Sequence, residues 1–91
     1  MVVPRVTPSP DVLAHRFDEA LVLVHLGTSQ FYEMNPTGAR LWELLAAGHS
    51  PAEVMKRLGE EYHVDPTRLN IEVRDILKQL TAANLVCEER P

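Results

Sequence analysis

Phe31-Tyr32-Glu33-Met34-Asn35-Pro36-Thr37-Gly38-Ala39-Arg40-Leu41-Trp42-Glu43-Leu44-Leu45-Ala46-Ala47-Gly48 is the stretch on which the fold turns. The hydrophobic period changes inside it. Up to Met34 the residues read as strand. Beyond Asn35, apolar side chains recur at helical spacing, at Ala39, Leu41, Trp42, Leu44 and Leu45. Asn35 suits the N-cap, because its side-chain oxygen can accept from an otherwise unpaired N–H of the first turn. Pro36 suits the first helical position, where no N–H is needed. Gly38 costs about 1 kcal/mol of helix propensity against Ala, so the sequence predicts close approach of another backbone there. Gly48 offers the stop.

Upstream, residues 20–34 read as a β-hairpin. Leu21 to Leu26 is rich in β-branched residues, Gly27-Thr28-Ser29 makes the turn, and Gln30 to Met34 returns. Period-two alternation puts Leu21, Leu23 and His25 on one face and Val22, Val24 and Leu26 on the other, with Tyr32 and Met34 toward the core. Both faces of the first strand are fairly apolar, which predicts a second cover that only the N-terminal arm could supply. That arm carries Pro4, Pro8 and Pro10 and has room for a short edge strand at Val2–Val6. Asp11 to Asp18 stays open between a short helical turn and an irregular approach.

Downstream, Ser50 is an N-cap, Pro51 the first helical residue, and Glu53 completes a capping box. Val54, Leu58 and Tyr62 form that helix's buried stripe. His63-Val64-Asp65 is a link, and Asp65-Pro66 repeats the cap-Pro start a third time. The third helix runs to about Ala83, burying Leu69, Val73, Ile76, Leu77, Leu80 and Ala83. Asn84 serves as its C-cap, Leu85-Val86-Cys87 as a returning strand, and Glu88 to Pro91 as a polar tail. These readings predict an α+β domain of winged helix-turn-helix type, with a three-stranded antiparallel sheet followed by three helices. Ninety-one residues make one domain, 1–91, with its core at about 12–88 and a Pro-rich arm at 1–11.

Composition narrows function. The chain is 45% apolar and 24% charged, hence globular. No apolar run reaches membrane-spanning length and no secretory signal pattern precedes the fold, so a cytoplasmic location is expected. A net charge of −4 disfavours non-specific nucleic-acid binding. The four histidines, at 15, 25, 49 and 63, come from separate segments without metal-ligand spacing. His25 is expected at a core edge or the surface, and His49 and His63 in solvent. Cys87, the only cysteine, reads as a small buried hydrophobe. No phosphate loop, metal set or nucleophile–base pair is present in the pattern, so neither a cofactor nor enzymatic activity is expected.

Binding is the better prospect. Gln30, Phe31, Tyr32, Glu33 and Met34 could form an edge strand, whose unpaired N–H and C=O groups can accept a peptide as a further strand. On the third helix, Ile71, Arg74 and Lys78 share one outer face at spacing i, i+3, i+7. An apolar residue between two cations suits an acidic, partly hydrophobic ligand. The competing readings are a solvated helix face, a winged-helix DNA-binding regulator and an adaptor that binds protein surfaces. Against DNA, the long helix balances Arg68, Arg74 and Lys78 with Glu72 and Asp75, and the hairpin precedes the helices where a wing would follow them.

Two segments, YEMNPTGARLWELL and DILKQLTAANLV at the observed separation, make the chain resemble the PqqD-like family, over roughly residues 12–88. These domains recognise leader peptides in pathways to ribosomally synthesised, post-translationally modified peptides (RiPPs). The resemblance implies a non-catalytic binder that holds a precursor's leader as an added strand beside the third strand, in a groove walled by the third helix. Mapped here, the strand is Gln30–Met34 and the wall is Leu69–Lys78, including Leu69, Ile71, Val73, Arg74, Leu77 and Lys78. A hydrophobic pocket for leader side chains falls near Phe31, Tyr32, Val73 and Leu77. The discrete chain looks most like the stand-alone recognition protein of lasso-peptide pathways. That implies three partners: the precursor, a leader-cleaving cysteine peptidase and an ATP-dependent cyclase. The pyrroloquinoline-quinone version of the family, a peptide chaperone for a radical modification enzyme, stays open beside it.

Overall fold

The computed structural model describes residues 5–18, 20–63 and 65–89. Positions 2–4 of the expected Val2–Val6 strand, Val64 of the link and positions 90–91 of the tail lie outside these. The order of elements is β1 (Arg5–Pro8), β2 (Val12–Phe17), β3 (Ala20–His25), β4 (Gln30–Met34), α1 (Pro36–Ala46), α2 (Pro51–Tyr62), α3 (Pro66–Ala82) and β5 (Val86–Glu89). A three-stranded antiparallel sheet, β2-β3-β4, precedes the three helices, as expected from the sequence. Its third member is Val12–Phe17, the segment whose sequence left the structure open. The described part of the N-terminal arm does not cover that sheet. It pairs antiparallel with β5 in a separate two-stranded sheet, Val6 opposite Glu88 and Pro8 opposite Val86.

Each helix starts on a cap followed by proline. Gly38 N–H donates to Asn35 Oδ1 at 2.8 Å, Glu53 N–H to Ser50 Oγ at 3.3 Å, and Thr67 N–H to Asp65 Oδ1 at 3.1 Å. Glu53 returns the favour by accepting from Ser50 N–H, which closes the capping box. Gly48 sits just past the end of α1 with φ +97°, where a side chain would be strained. The residue crowding Gly38 is not another backbone. A Cβ there would come within 2.8 Å of the Met34 methyl, so the glycine makes room for the side chain that ends β4. At the end of α3 the cap is Ala83, and Asn84 follows it at φ 58°.

The core lies between the inner face of the sheet and the three helices. Leu21 and Leu23 meet Ala39, Leu41, Trp42, Leu44 and Leu45 of α1, Val54 and Leu58 of α2, and Leu69, Val73 and Leu80 of α3. Alternation along β3 follows the predicted faces: Leu21, Leu23 and His25 are buried, while Leu26 is exposed. His25 Nδ1 accepts from the N–H groups of Gly27 and Thr28 (3.1 and 3.3 Å) and so braces the β3–β4 turn. Three expectations need correction. Tyr62 is exposed, at the last residue of α2, beyond the buried Val54 and Leu58. Cys87 is exposed, because β5 alternates and turns Val86 inward instead. His49 is half-buried beside Glu53, 3.3 Å away, instead of lying free in solvent.

An ion-pair chain ties the helices to the sheet. Arg40 of α1 makes a two-pronged contact with Glu61 of α2 (2.8 and 2.9 Å), and Glu43 meets Arg16 of β2 at 2.8 Å. The hydrogen bonds that Arg40 donates hold the Glu61 carboxyl below its ordinary pKa, and accepting them lets Glu61 raise the Arg40 guanidinium above its own. Glu53 is likewise lowered, first by His49 and then by the Ser50 backbone. A carboxylate lowered by folding stabilises the fold above its unfolded pKa and ceases to do so as pH falls through its folded one. Urea stability is therefore expected to decline as pH drops below about 4.5, the ordinary value for these groups. Arg40→Ala should remove the Glu61 share of that decline and cost at most about 1 kcal/mol at neutral pH, since the pair is partly solvated. An acid limb of unchanged depth in Arg40→Ala would contradict this assignment.

Candidate functional site

Strand β4 is terminal in its sheet, so one side of it faces no strand among the described residues. Hydrogen-bond direction shows which residues own that side. In an antiparallel sheet, successive residues point their N–H and C=O to opposite sides. Leu26 N–H donates to Asp11 O on the β2 side at 2.8 Å, whereas His25 O accepts from Ser29 N–H on the β4 side at 2.8 Å. His25, Leu23 and Leu21 thus bond toward β4, where their register partners are Gln30, Tyr32 and Met34. The residues between, Phe31 and Glu33, turn both their main-chain donors and acceptors to the free edge.

That edge opens on a cleft of about 660 Å³. One wall is Phe31 to Met34. The other comes from the last turn of α3, Gln79, Leu80 and Ala82, and from Ala83 and Leu85 after it. Tyr32 and Met34 are half-buried against the core, and the Tyr32 hydroxyl donates to Gln30 Oε1. Glu33 is the one charged residue of this lining, and strand alternation turns its side chain to the outer face of the sheet. Such a hollow can bury apolar side chains while the strand edge bonds a main chain. It holds no pair of groups placed for acid–base or nucleophilic chemistry. A second hollow, of about 320 Å³ over α2, is walled by Glu53, Lys56, Arg57 and Glu60, a solvated helix face without an apolar floor. Among the described residues, no three His, Cys, Asp or Glu side chains are grouped to hold a metal ion, and no helix is long and apolar enough to cross a membrane.

The structure brings Phe31, Tyr32, Glu33 and Met34 together at the cleft, with exposed Gln30 at the strand's start. The residues singled out on α3 lie elsewhere. Leu69 and Val73 are buried in the core, Leu77 is half-buried behind it, and Ile71, Arg74 and Lys78 are exposed but line no part of the cleft. The α3 side of this cleft therefore lies nearer the helix C-terminus than Leu69–Lys78. Gln79, Ala82, Ala83 and Leu85 line the cleft and were not singled out in the sequence. Small alanines on the last turn, followed by an apolar residue after an αL Asn84, were the available signal.

The family model described as coenzyme PQQ synthesis protein D (PqqD) matches residues 20–86. The solved structure of TbiB1 in complex with the TbiA(beta) leader peptide is similar at 31% identity and a TM-score of 0.83, covering 88% of this chain and 93% of that one. A lasso peptide synthetase B1 complexed with the leader peptide shares the fold at 24% identity and a TM-score of 0.82, covering 91% and 98%. No curated protein matches the chain. The matched segment runs from the start of β3 through the cleft-forming end of α3 to β5, and on that basis the chain belongs to the PqqD family.

Proposed function

We propose that this protein binds the leader peptide of a precursor in lasso-peptide biosynthesis, without catalysing a reaction itself. The observation that carries the reading is the free edge of β4 opening on an apolar cleft. The leader adds as a strand there, bonded to the main chain of Phe31 and Glu33, and alternate side chains settle over Tyr32, Met34, Leu80 and Ala83. Leu69, Val73 and Leu77 support α3 from the core side, and Ile71, Arg74 and Lys78 meet an acidic portion of the leader that runs past the cleft. The bound precursor is then presented to a leader-cleaving cysteine peptidase and an ATP-dependent cyclase in the cytoplasm. The similarity to TbiB1, whose structure is solved in complex with a leader peptide, supports the ligand class.

Titrating a fluorescein-labelled leader of the cognate precursor, followed by anisotropy, tests this. Saturable binding tighter than about 10 μM (roughly −7 kcal/mol) is expected, and a leader N-methylated at the edge-bonding positions should bind at least about tenfold more weakly. Absence of saturable binding in the tens-of-micromolar range, with the protein folded by circular dichroism, would sink the proposal.

A further inference from the structure

Among the described residues, no element packs over the outer face of the β2-β3-β4 sheet. Strand register organises it into rows. Leu13, Val24 and Phe31 lie side by side across the three strands, and His15, Val22 and Glu33 form the next row. Phe31 is 73% exposed and Leu13 58%. The first row is apolar from end to end and stops at the free edge. The second ends there in a carboxylate, and among the described residues Glu33 makes no ion pair. Phe31 and Glu33 are also the two residues whose main-chain groups face an incoming strand.

These facts constrain any strand added to β4. Side chains of neighbouring residues on paired strands fall on the same face and touch, and like charges opposite each other destabilise the pairing. A peptide strand must therefore extend the first row beside Phe31 and the second beside Glu33, with residues two positions apart. We propose that the outer side of this edge is a second specificity surface: Phe31 and Glu33 select a leader that carries an apolar side chain and a Lys or Arg two positions apart, both facing away from the cleft. This rests on the strand-addition reading and adds to it. The cleft accepts the inward-facing side chains of the peptide, and the Phe31–Glu33 pair reads the outward-facing ones. If the peptide runs parallel to β4, the apolar residue comes first. If it runs antiparallel, the basic residue does.

A positional-scanning library of labelled decapeptides, sorted on the full chain and on its Glu33→Lys and Glu33→Gln variants, tests the proposal. The expected result with Glu33 is enrichment of Lys or Arg two positions from an aromatic or branched aliphatic residue, in one consistent order that reports strand direction. Glu33→Lys should switch the preference at that position to Asp or Glu, and Glu33→Gln should abolish it. For one enriched peptide, changing its basic residue to Glu should weaken binding about fivefold at low salt, less at high salt, and Glu33→Lys should restore it. Peptides enriched without charge preference at that spacing, or with one that Glu33→Lys leaves unchanged, would overturn the proposal while leaving strand addition intact. No enriched peptide with any of the three proteins would overturn both.

Discussion

Phe31→Pro is expected to abolish most peptide capture while the domain stays folded. Proline lacks the N–H, and at position 31 that group points to the free edge and not to β3. Proline is tolerated on an edge strand in this orientation. Losing the donor leaves a carbonyl of the added strand unpaired, at a cost of about 1–3 kcal/mol, and the ring obstructs the approach as well. Affinity for the leader should fall by about tenfold to a hundredfold. Two neighbours make the result interpretable. Phe31→Ala removes the aromatic ring and keeps the donor, so it isolates the side chain. Tyr32→Pro removes the N–H directed at Leu23 and should open the β3–β4 hairpin, read as loss of cooperative urea unfolding. Wild-type affinity in a folded Phe31→Pro protein would mean that the peptide does not add as a strand at this edge.

The greatest loss of stability is expected from Leu41→Ala. Leu41 is wholly buried in α1, the helix that packs against β1, β3, β4 and α2. Removing its branched end leaves a cavity where those elements meet, and substitutions of this kind cost about 2–5 kcal/mol. A domain of this length has roughly 5–14 kcal/mol in all. A fall in melting temperature of about 10–30 °C is expected by calorimetry. Arg57→Ala, on the exposed face of α2, should stay within about 0.5 kcal/mol of wild type. A Leu41→Ala protein melting within a few degrees of wild type would show that the core does not converge on α1.

The helices were legible because their start signals are local. Asn35-Pro36, Ser50-Pro51 and Asp65-Pro66 each put an acceptor and a proline at adjacent positions, and each begins a helix. β4 was legible for a similar reason, since a strand that turns straight into a capped helix has little freedom. β2 was not. Nearly all of Val12–Phe17 is exposed, so no alternation between buried and solvated residues marks it, and it is a strand because β3 pairs with it. The cleft was half legible. Its strand wall could be read from Gln30–Met34, but which turn of α3 stands beside that edge depends on how the helix crosses the sheet. The 3.6-residue period separates the buried stripe at Leu69, Val73 and Leu80 from the exposed face at Ile71, Arg74 and Lys78. It does not say that the last turn, at Gln79 to Ala83, is the one at the edge. Gly38 is a related case: its small size was readable, but that the space belongs to Met34 follows only from the bend between β4 and α1.

The pairing of β1 with β5 bears on the order in which the molecule assembles. The β2-β3-β4 meander and the three helices join segments close in sequence, and such contacts close quickly. Arg5 and Glu89 stand opposite each other from nearly the whole chain apart, and Ser9 N–H donates to Leu85 O at 2.9 Å. Leu85 belongs to the α3-side wall of the cleft. A chain that has folded only its middle displays the strand edge without the finished hollow beside it. By contact order the β1–β5 pairing is expected to close last, and through Ser9 it then acts as a latch on Leu85.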